Sequence, residues 1–420
     1  MMHRALPLSA LCAAALLASA GTAHAQRRAE PARAESMLQV TCNGATPDVT
    51  LHNRGAQGAL NRALVVQGDA KRFYYEQALQ HVRDGLFEDS TNARYPLAAG
   101  EAHMGLGALD EASRAWTRAV ELCPELASLI EPMREEGWAR TFQAGMEAFT
   151  AGDTAGALAR WESAGAFYNR RPDPFYNLGV ILSQRGDVEG SVRNFREALA
   201  ALERAPEDTT AAGLLSRRET RANSLAALLS AGARLYGQGQ LGTAEALFKE
   251  VAAQDSTNRD AWFNHALALY KQEKWVELEP VAARLVAIDP LNYNAHVIAF
   301  SALKGQADAA TAAGNAARGQ QIATRAVASA EAREALPVRL DGIALTNAEG
   351  SLGVAGQVTG GAAAAGTAVR VEFTFYGIGG ERFTHTLSIP APEKEQTATF
   401  QATVPTTAAV SSFSYRLLPG

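Results

Sequence analysis

The residues able to do chemistry are few and scattered along the 420-residue chain. His265 and His296 fall in helical segments and are able to approach one another, but two histidines without a third ligand make a poor metal site, so buried or rim positions explain them. Glu135 and Glu136 read as a solvated helix face, and His103 as a packing residue. No nucleophile elbow, His-Glu-x-x-His helix, phosphate-cradling glycine loop or Cys-x-x-Cys pair occurs. A net charge of −5 gives no basic footprint for nucleic acid. The chain is therefore expected to be no enzyme and to use no cofactor or metal. Its functional residues should be those of a binding surface, and the elements that carry them follow from the repeats.

Two copies of one pattern stand in unbroken register between Trp138 and Glu203. Gly145 answers Gly179, Gly152 answers Gly186, Trp161 answers Phe195 and Ala164 answers Ala198, each at a spacing of 34. A period of that length means stacked helical hairpins. The first glycine marks a close approach of two helices, the second a turn, and the aromatic packs one helix on the next. A further copy uses Gly100, Gly107, Ala112, Trp116 and Ala119, another Gly232, Gly239, Ala244, Phe248 and Val251, and another Ala266, Leu269, Leu278 and Leu285. The tetrapeptide Asp89 to Asn92 recurs as Asp255 to Asn258. The register slips twice, and the excess around Ala127 to Glu135 and Arg204 to Arg221 is expected to extend helices. Periodicity begins near Lys71, where only the second helix of a first hairpin is in register, and an alanine-rich stretch to Glu334 reads as a terminal cap, which a stack of repeats needs.

The run Phe175-Tyr176-Asn177-Leu178-Gly179, followed by Gly186-Asp187, Phe195 and Ala198, resembles the tetratricopeptide repeat (TPR), departing at Leu182 and Ser191. The resemblance implies an α-solenoid that binds another protein, with a concave groove lined from first-helix positions that packing leaves unclaimed. Those positions are Phe142, Met146 and Phe149, then Tyr176, Asn177 and Val180, then Leu229 and Tyr236, and finally Phe263, Asn264, Leu267 and Tyr270. Asn177 and Asn264 would hydrogen-bond a peptide backbone while the neighbouring aromatics hold its side chains. Tyr176 and Phe263 fill the place where related domains carry the first lysine of a carboxylate clamp, so a C-terminal carboxylate is a poor ligand. The groove either takes an outside segment or is covered by this chain's own N-terminal part; the sequence leaves both open.

Residues 1–25 have the make-up of a secretory signal: Arg4, an apolar run from Leu6 to Ala20, and Ala23-His24-Ala25 ahead of Gln26. Cys12 lies inside that run behind a bulky leucine, unlike a lipid-attachment site. Export leaves Cys42 and Cys123, which either form a disulfide tying the N-terminal segment to the turn after the second repeat or remain two free thiols. Residues 26–70 are poorly periodic and read as a partly disordered segment. The partner expected on this basis is another protein of the cell envelope, with the chain periplasmic or secreted and no membrane span in its mature form.

Beyond Leu336-Pro337 the period changes from helical to two. Val369, Val371, Phe373 and Phe375 alternate with Arg370, Glu372 and Thr374, the pattern of a half-buried strand. Six strands are expected, at about 338–345, 352–359, 368–376, 382–389, 397–404 and 411–417, with a hairpin at Gly377-Ile378-Gly379-Gly380. Short strands with regular turns argue a small antiparallel sandwich. Gly356-Gln357-Val358, Phe375-Tyr376-Gly377 and Phe413-Ser414-Tyr415 resemble the FxLYD-type immunoglobulin-like domains of exported bacterial proteins, which act as interaction or spacer modules. The expected organisation is thus a signal (1–25), an N-terminal segment (26–70), a solenoid of five to seven hairpins (71–335) and a β-sandwich (336–420). The alternative function is a glycan- or ligand-binding accessory protein that uses the sandwich, against which its few exposed aromatics count.

Overall fold

The computed structural model describes residues 41–43, 47–205 and 210–419; the expected signal over residues 1–25 lies outside them. The chain divides into two compact units, Met1–Pro206 and Glu207–Gly420. Among the described residues of the first unit are eight α-helices: α1 (Leu51–Val65), α2 (Gly68–Glu88), α3 (Arg94–Gly105), α4 (Leu109–Leu122), α5 (Ala127–Thr150), α6 (Thr154–Phe167), α7 (Asp173–Gln184) and α8 (Val188–Arg204). The second holds α9 (Ala211–Gly237), α10 (Leu241–Gln254), α11 (Arg259–Lys271), α12 (Trp275–Ile288), α13 (Tyr293–Ala312) and α14 (Ala316–Glu334). Six strands follow in that unit: β1 (Val338–Ala348), β2 (Ser351–Gly360), β3 (Ala368–Gly377), β4 (Arg382–Pro390), β5 (Thr397–Pro405) and β6 (Val410–Leu417). Consecutive helices pair as seven hairpins, and the whole is a TPR-type solenoid followed by a small β domain.

Four of the hairpins are closed by the glycine–aromatic device that the 34-residue period encodes. A Cβ added at Gly145 would lie 2.6 Å from the Trp161 ring, at Gly179 2.9 Å from Phe195, and at Gly232 2.6 Å from Phe248, and at Gly100 it would collide with Trp116. All four aromatics are buried, so the backbone of each first helix is the floor on which the second helix's ring lies. The turns are equally regular. Gly152 (φ 84°) and Gly186 (φ 82°) adopt the left-handed conformation, and the aspartate that follows caps the next helix: Gly156 N–H donates to Asp153 and Gly190 N–H to Asp187, both at 2.8 Å. One period after the turn glycine Gly239, the same position is Glu273 at φ 56°, a conformation that costs an L-residue energy.

Helical structure starts earlier than the expected Lys71. Thr50 caps α1 in a capping box with Asn53, and Gly55 faces His81 of α2 as Gly145 faces Trp161. The later glycine and aromatic lie 16 apart (161 − 145), whereas Gly55 and His81 lie 26 apart (81 − 55). The extra spacing lies within the helices, which run further past the contact on both sides of a short loop, and it hides the first helix from a 34-residue search. The two slips resolve as expected: the first excess forms the start of α5 and most of the second the start of α9. The described part of the N-terminal segment is tied down by a disulfide between Cys42 and Cys123, by Asn92 Nδ2 donating to the Asp48 carbonyl at 3.0 Å and by Arg94 Nε donating to that of Pro47 at 3.2 Å.

The six strands lie within a few residues of their expected bounds and form two antiparallel three-stranded sheets, ordered β1-β2-β5 and β4-β3-β6. The Gly377–Gly380 hairpin joins β3 to β4, closed by Gly377 N–H to the Glu381 carbonyl at 2.8 Å. Phe373 and Phe375 are fully buried and stack at 5.8 Å, with Phe383, Phe413 and Tyr415 around them.

Within the second unit, the last helical hairpins and this domain share a buried junction. Asp289 and Asn292 sit one period after Asp255 and Asn258, but Pro290 and Leu291 replace Ser256 and Thr257 between them. In the earlier loop Asp255 accepts from the amide and hydroxyl of Thr257, at 3.0 and 2.7 Å. With no threonine to hold, Asp289 instead accepts from the Tyr415 hydroxyl and from Asn292 Nδ2 (3.0 Å), with Arg259 Nε 3.6 Å away. Leu291 joins the sandwich core, its carbonyl accepting from Leu340 N–H at 2.9 Å and its N–H donating to the Tyr415 hydroxyl at 3.3 Å.

Candidate functional site

The side chains placed in the groove by the resemblance divide into two groups. Phe142, Tyr176 and Asn177 are closed off from solvent, at 1%, 3% and 0% exposure, and are corrected to packing residues. Phe142 stacks on Trp138 at 5.4 Å and lies 6.4 Å from Trp161, because the lengthened α5 brings an extra aromatic onto it. Tyr176 meets Phe195 edge-on at 5.7 Å, and burial pushes its phenol above the usual range. Asn177 is packed with Nδ2 3.5 Å from the Met146 sulfur, so it does not present its amide to a ligand. Met146, Phe149 and Val180 remain half-buried on the same helices.

The more accessible set lies in the second unit, on α9 and α11, the first helices of consecutive hairpins, where none of the candidate side chains is buried. Leu229 and Tyr236 of α9 and Phe263, Asn264 and Leu267 of α11 are half-buried, and Tyr270 is 39% exposed. Phe263 and Leu267 rest on the core formed by Leu269, Leu278 and Leu285, and Tyr270 stands edge-on to Trp275 at 5.6 Å. These rings are therefore held from behind while one side meets solvent, which lowers the entropy lost on binding. Asn264 donates to the Asp260 carbonyl at 2.9 Å, which commits one of its amide hydrogens and leaves the carbonyl oxygen for a ligand N–H. A polar rim borders the same helices: Lys274 Nζ and Gln272 Nε2 both donate to Glu245 at 2.7 Å, an arrangement that holds the Glu245 carboxyl below its usual range against the opposing effect of its burial.

The histidines act locally. His265 is buried, with its titration pushed down chiefly by burial, and its Nδ1 has no hydrogen-bond partner among the described residues. His296 is spent on the Pro290 carbonyl at 2.8 Å. No group of three or more metal-binding side chains occurs among the described residues. Glu135 and Glu136 are half-buried rather than solvated and pair with Arg171 and Arg140, which fixes the extended start of α5. The junction residues Asp289, Leu291 and Tyr415 were not expected; the only signal is that Leu291 stands where the earlier loop carries Thr257.

No family profile and no curated protein sequence matches the chain. Among solved structures it is similar to MamA (residues 41 to the end) from Desulfovibrio magneticus RS-1, at 16% identity over 47% of this chain and 97% of that one, with a TM-score of 0.25. It is also similar to YrrB, a TPR protein with an unusual peptide-binding site, at 18% identity over 53% of this chain and 96% of that one (TM-score 0.24). A third is the C-terminal part of a TPR repeat-containing protein from Cytophaga hutchinsonii, at 14% identity over 68% and 95% (TM-score 0.24). Similarity at this level carries no argument, and the assignment of a TPR-type solenoid rests on the paired helices with their glycine–aromatic contacts.

Proposed function

We propose that this chain is a non-enzymatic interaction scaffold of the cell envelope, and that it binds an extended or helical segment of another envelope protein on the α9/α11 face. The observation that carries the reading is the set Leu229, Tyr236, Phe263, Leu267 and Tyr270, apolar side chains on adjacent first helices that the hairpin contacts leave half-buried or exposed. Grooves of this kind take a segment through a few apolar anchors, which commonly carry most of the interface energy. Export is supported by the signal-like make-up of residues 1–25 and by the Cys42–Cys123 disulfide, a bond that persists in oxidising compartments. No helix among the described residues is long and apolar enough to cross a membrane.

The test is capture of partners from the native envelope by the parent chain and by a variant with Leu229, Tyr236, Phe263 and Tyr270 changed to serine. Capture should fall roughly tenfold or more, with a circular dichroism spectrum like the parent's. Equal capture would remove this face from the account.

A further inference from the structure

A cleft of about 250 Å³ opens in the second unit between the α10–α11 loop and α12 on one side and the outer face of β3 and β6 on the other. It has room for about eight waters at about 30 Å³ each, which is below the usual range for drug-sized ligands and suits a single small molecule. Thr257, Thr374, Tyr376 and Ser414 line it with hydroxyls, and Arg284 and Arg416 with guanidinium groups. Thr374 and Ser414 are cross-strand neighbours, and the Tyr376 hydroxyl lies 3.1 Å from that of Ser414. The hydroxyls of Thr374, Tyr376 and Ser414 thus form one row, able both to donate and to accept, while that of Thr257 is already spent on Asp255.

The charge is unbalanced. The lining residues include two cations and no carboxylate, and Glu372, bonded to Arg416 at 2.7 Å, offsets one of them. Arg284 is oriented from behind, since its Nη2 donates to the Ser256 carbonyl at 3.1 Å and its guanidinium sits 6.0 Å over the Trp262 ring. A guanidinium has five N–H donors in a fixed fork suited to carboxylate or phosphate. An oriented cation facing a row of hydroxyls is complementary to an oxyanion carried on a polyol. We propose that this cleft binds a small hydroxylated anion of about one sugar ring, a sugar acid or a sugar phosphate. Arg284 takes the oxyanion, and Thr374, Tyr376 and Ser414 take the ring hydroxyls. The site is independent of the α9/α11 face.

The test is calorimetric titration of the purified protein with glucuronate, glucose 6-phosphate, neutral glucose and inorganic phosphate. At least one of the two anionic sugars should bind with a Kd of about 1 mM or tighter, and comparing them tells which anion is taken. Glucose and phosphate alone should bind at least tenfold more weakly. Arg284→Gln should weaken the anionic sugar tenfold or more at unchanged helicity. Glu372→Gln should strengthen it severalfold by releasing Arg416, an effect that mere loss of structure would not produce. Absence of binding by both anionic sugars, phosphate binding as tightly as they do, or Arg284→Gln binding like the parent would each overturn the proposal.

Discussion

Replacing Tyr415 by phenylalanine tests whether the helical hairpins and the sandwich of the second unit are one cooperative structure. The change keeps the ring that packs on Phe373 at 5.3 Å and removes only the hydroxyl. That hydroxyl donates to the buried Asp289 carboxyl and accepts from Leu291 N–H. Losing a hydrogen bond to a charged group costs about 1.5–3 kcal/mol, and an orphaned buried N–H adds to it, so we expect a loss of about 2–4 kcal/mol. Urea unfolding followed by circular dichroism should show a lower midpoint with an unchanged slope. Tyr376→Phe, at a half-buried hydroxyl bonded to Ser414, should cost less than about 1 kcal/mol.

The same pair gives a pH signature. Burial, and then the Asp289 carboxylate, push the Tyr415 phenol well above its usual range. The folded protein keeps this proton where the unfolded chain loses it. The contribution of Tyr415 is therefore complete below about pH 10 and declines above it by about 1.4 kcal/mol per pH unit. Other buried tyrosines decline too, but they are common to both proteins, so the gap between parent and Tyr415→Phe should shrink above that pH. A loss below about 1 kcal/mol at neutral pH, or a gap that widens in alkali, would refute the junction as described.

Three further outcomes follow from the fold. Glu273→Gly relieves a left-handed residue at φ 56° in an exposed turn and should stabilise by up to about 1 kcal/mol, read as a rise in thermal midpoint. Reducing the disulfide, or Cys42→Ser with Cys123→Ser, releases a loop with a sequence separation of 81 and should destabilise the first unit by up to about 4 kcal/mol in denaturant unfolding. Gly145→Ala places a methyl group 2.6 Å from Trp161 and should cost about 1–3 kcal/mol, whereas Gly58→Ala, which meets nothing within 4 Å, should be neutral or stabilising.

What the sequence discloses is governed by how local the physics is. Gly145 and Trp161 are fixed by one hairpin, and the alternation of Val369 to Phe375 by one strand, so spacing alone reveals both. Cys42 and Cys123 are visible as a pair, but whether they meet depends on a path through α1 to α4 that no short pattern encodes. Helix α1 escapes because more helical residues separate Gly55 from His81 than separate Gly145 from Trp161, although Thr50 and Asn53 carry a cap signal. The inner-face assignments misplace Phe142, Tyr176 and Asn177 because they assume standard neighbours, and the lengthened α5 puts Trp138 against Phe142 instead. Asp289 and Tyr415 lie 126 residues apart, and only the replacement of Thr257 by Leu291 in an otherwise repeated loop hints at their meeting.

Photo-cross-linking in the native envelope tests most directly whether the α9/α11 face receives another protein. A photoreactive phenylalanine analogue is placed at Tyr270 or Phe263 on that face, and at the exposed Lys249 of α10 as a control. A discrete adduct of the same mass is expected from positions 270 and 263, lost when Leu229 and Tyr236 are changed to serine, and none from position 249. Adducts from position 249 alone, or equal adducts from all three positions, would contradict it.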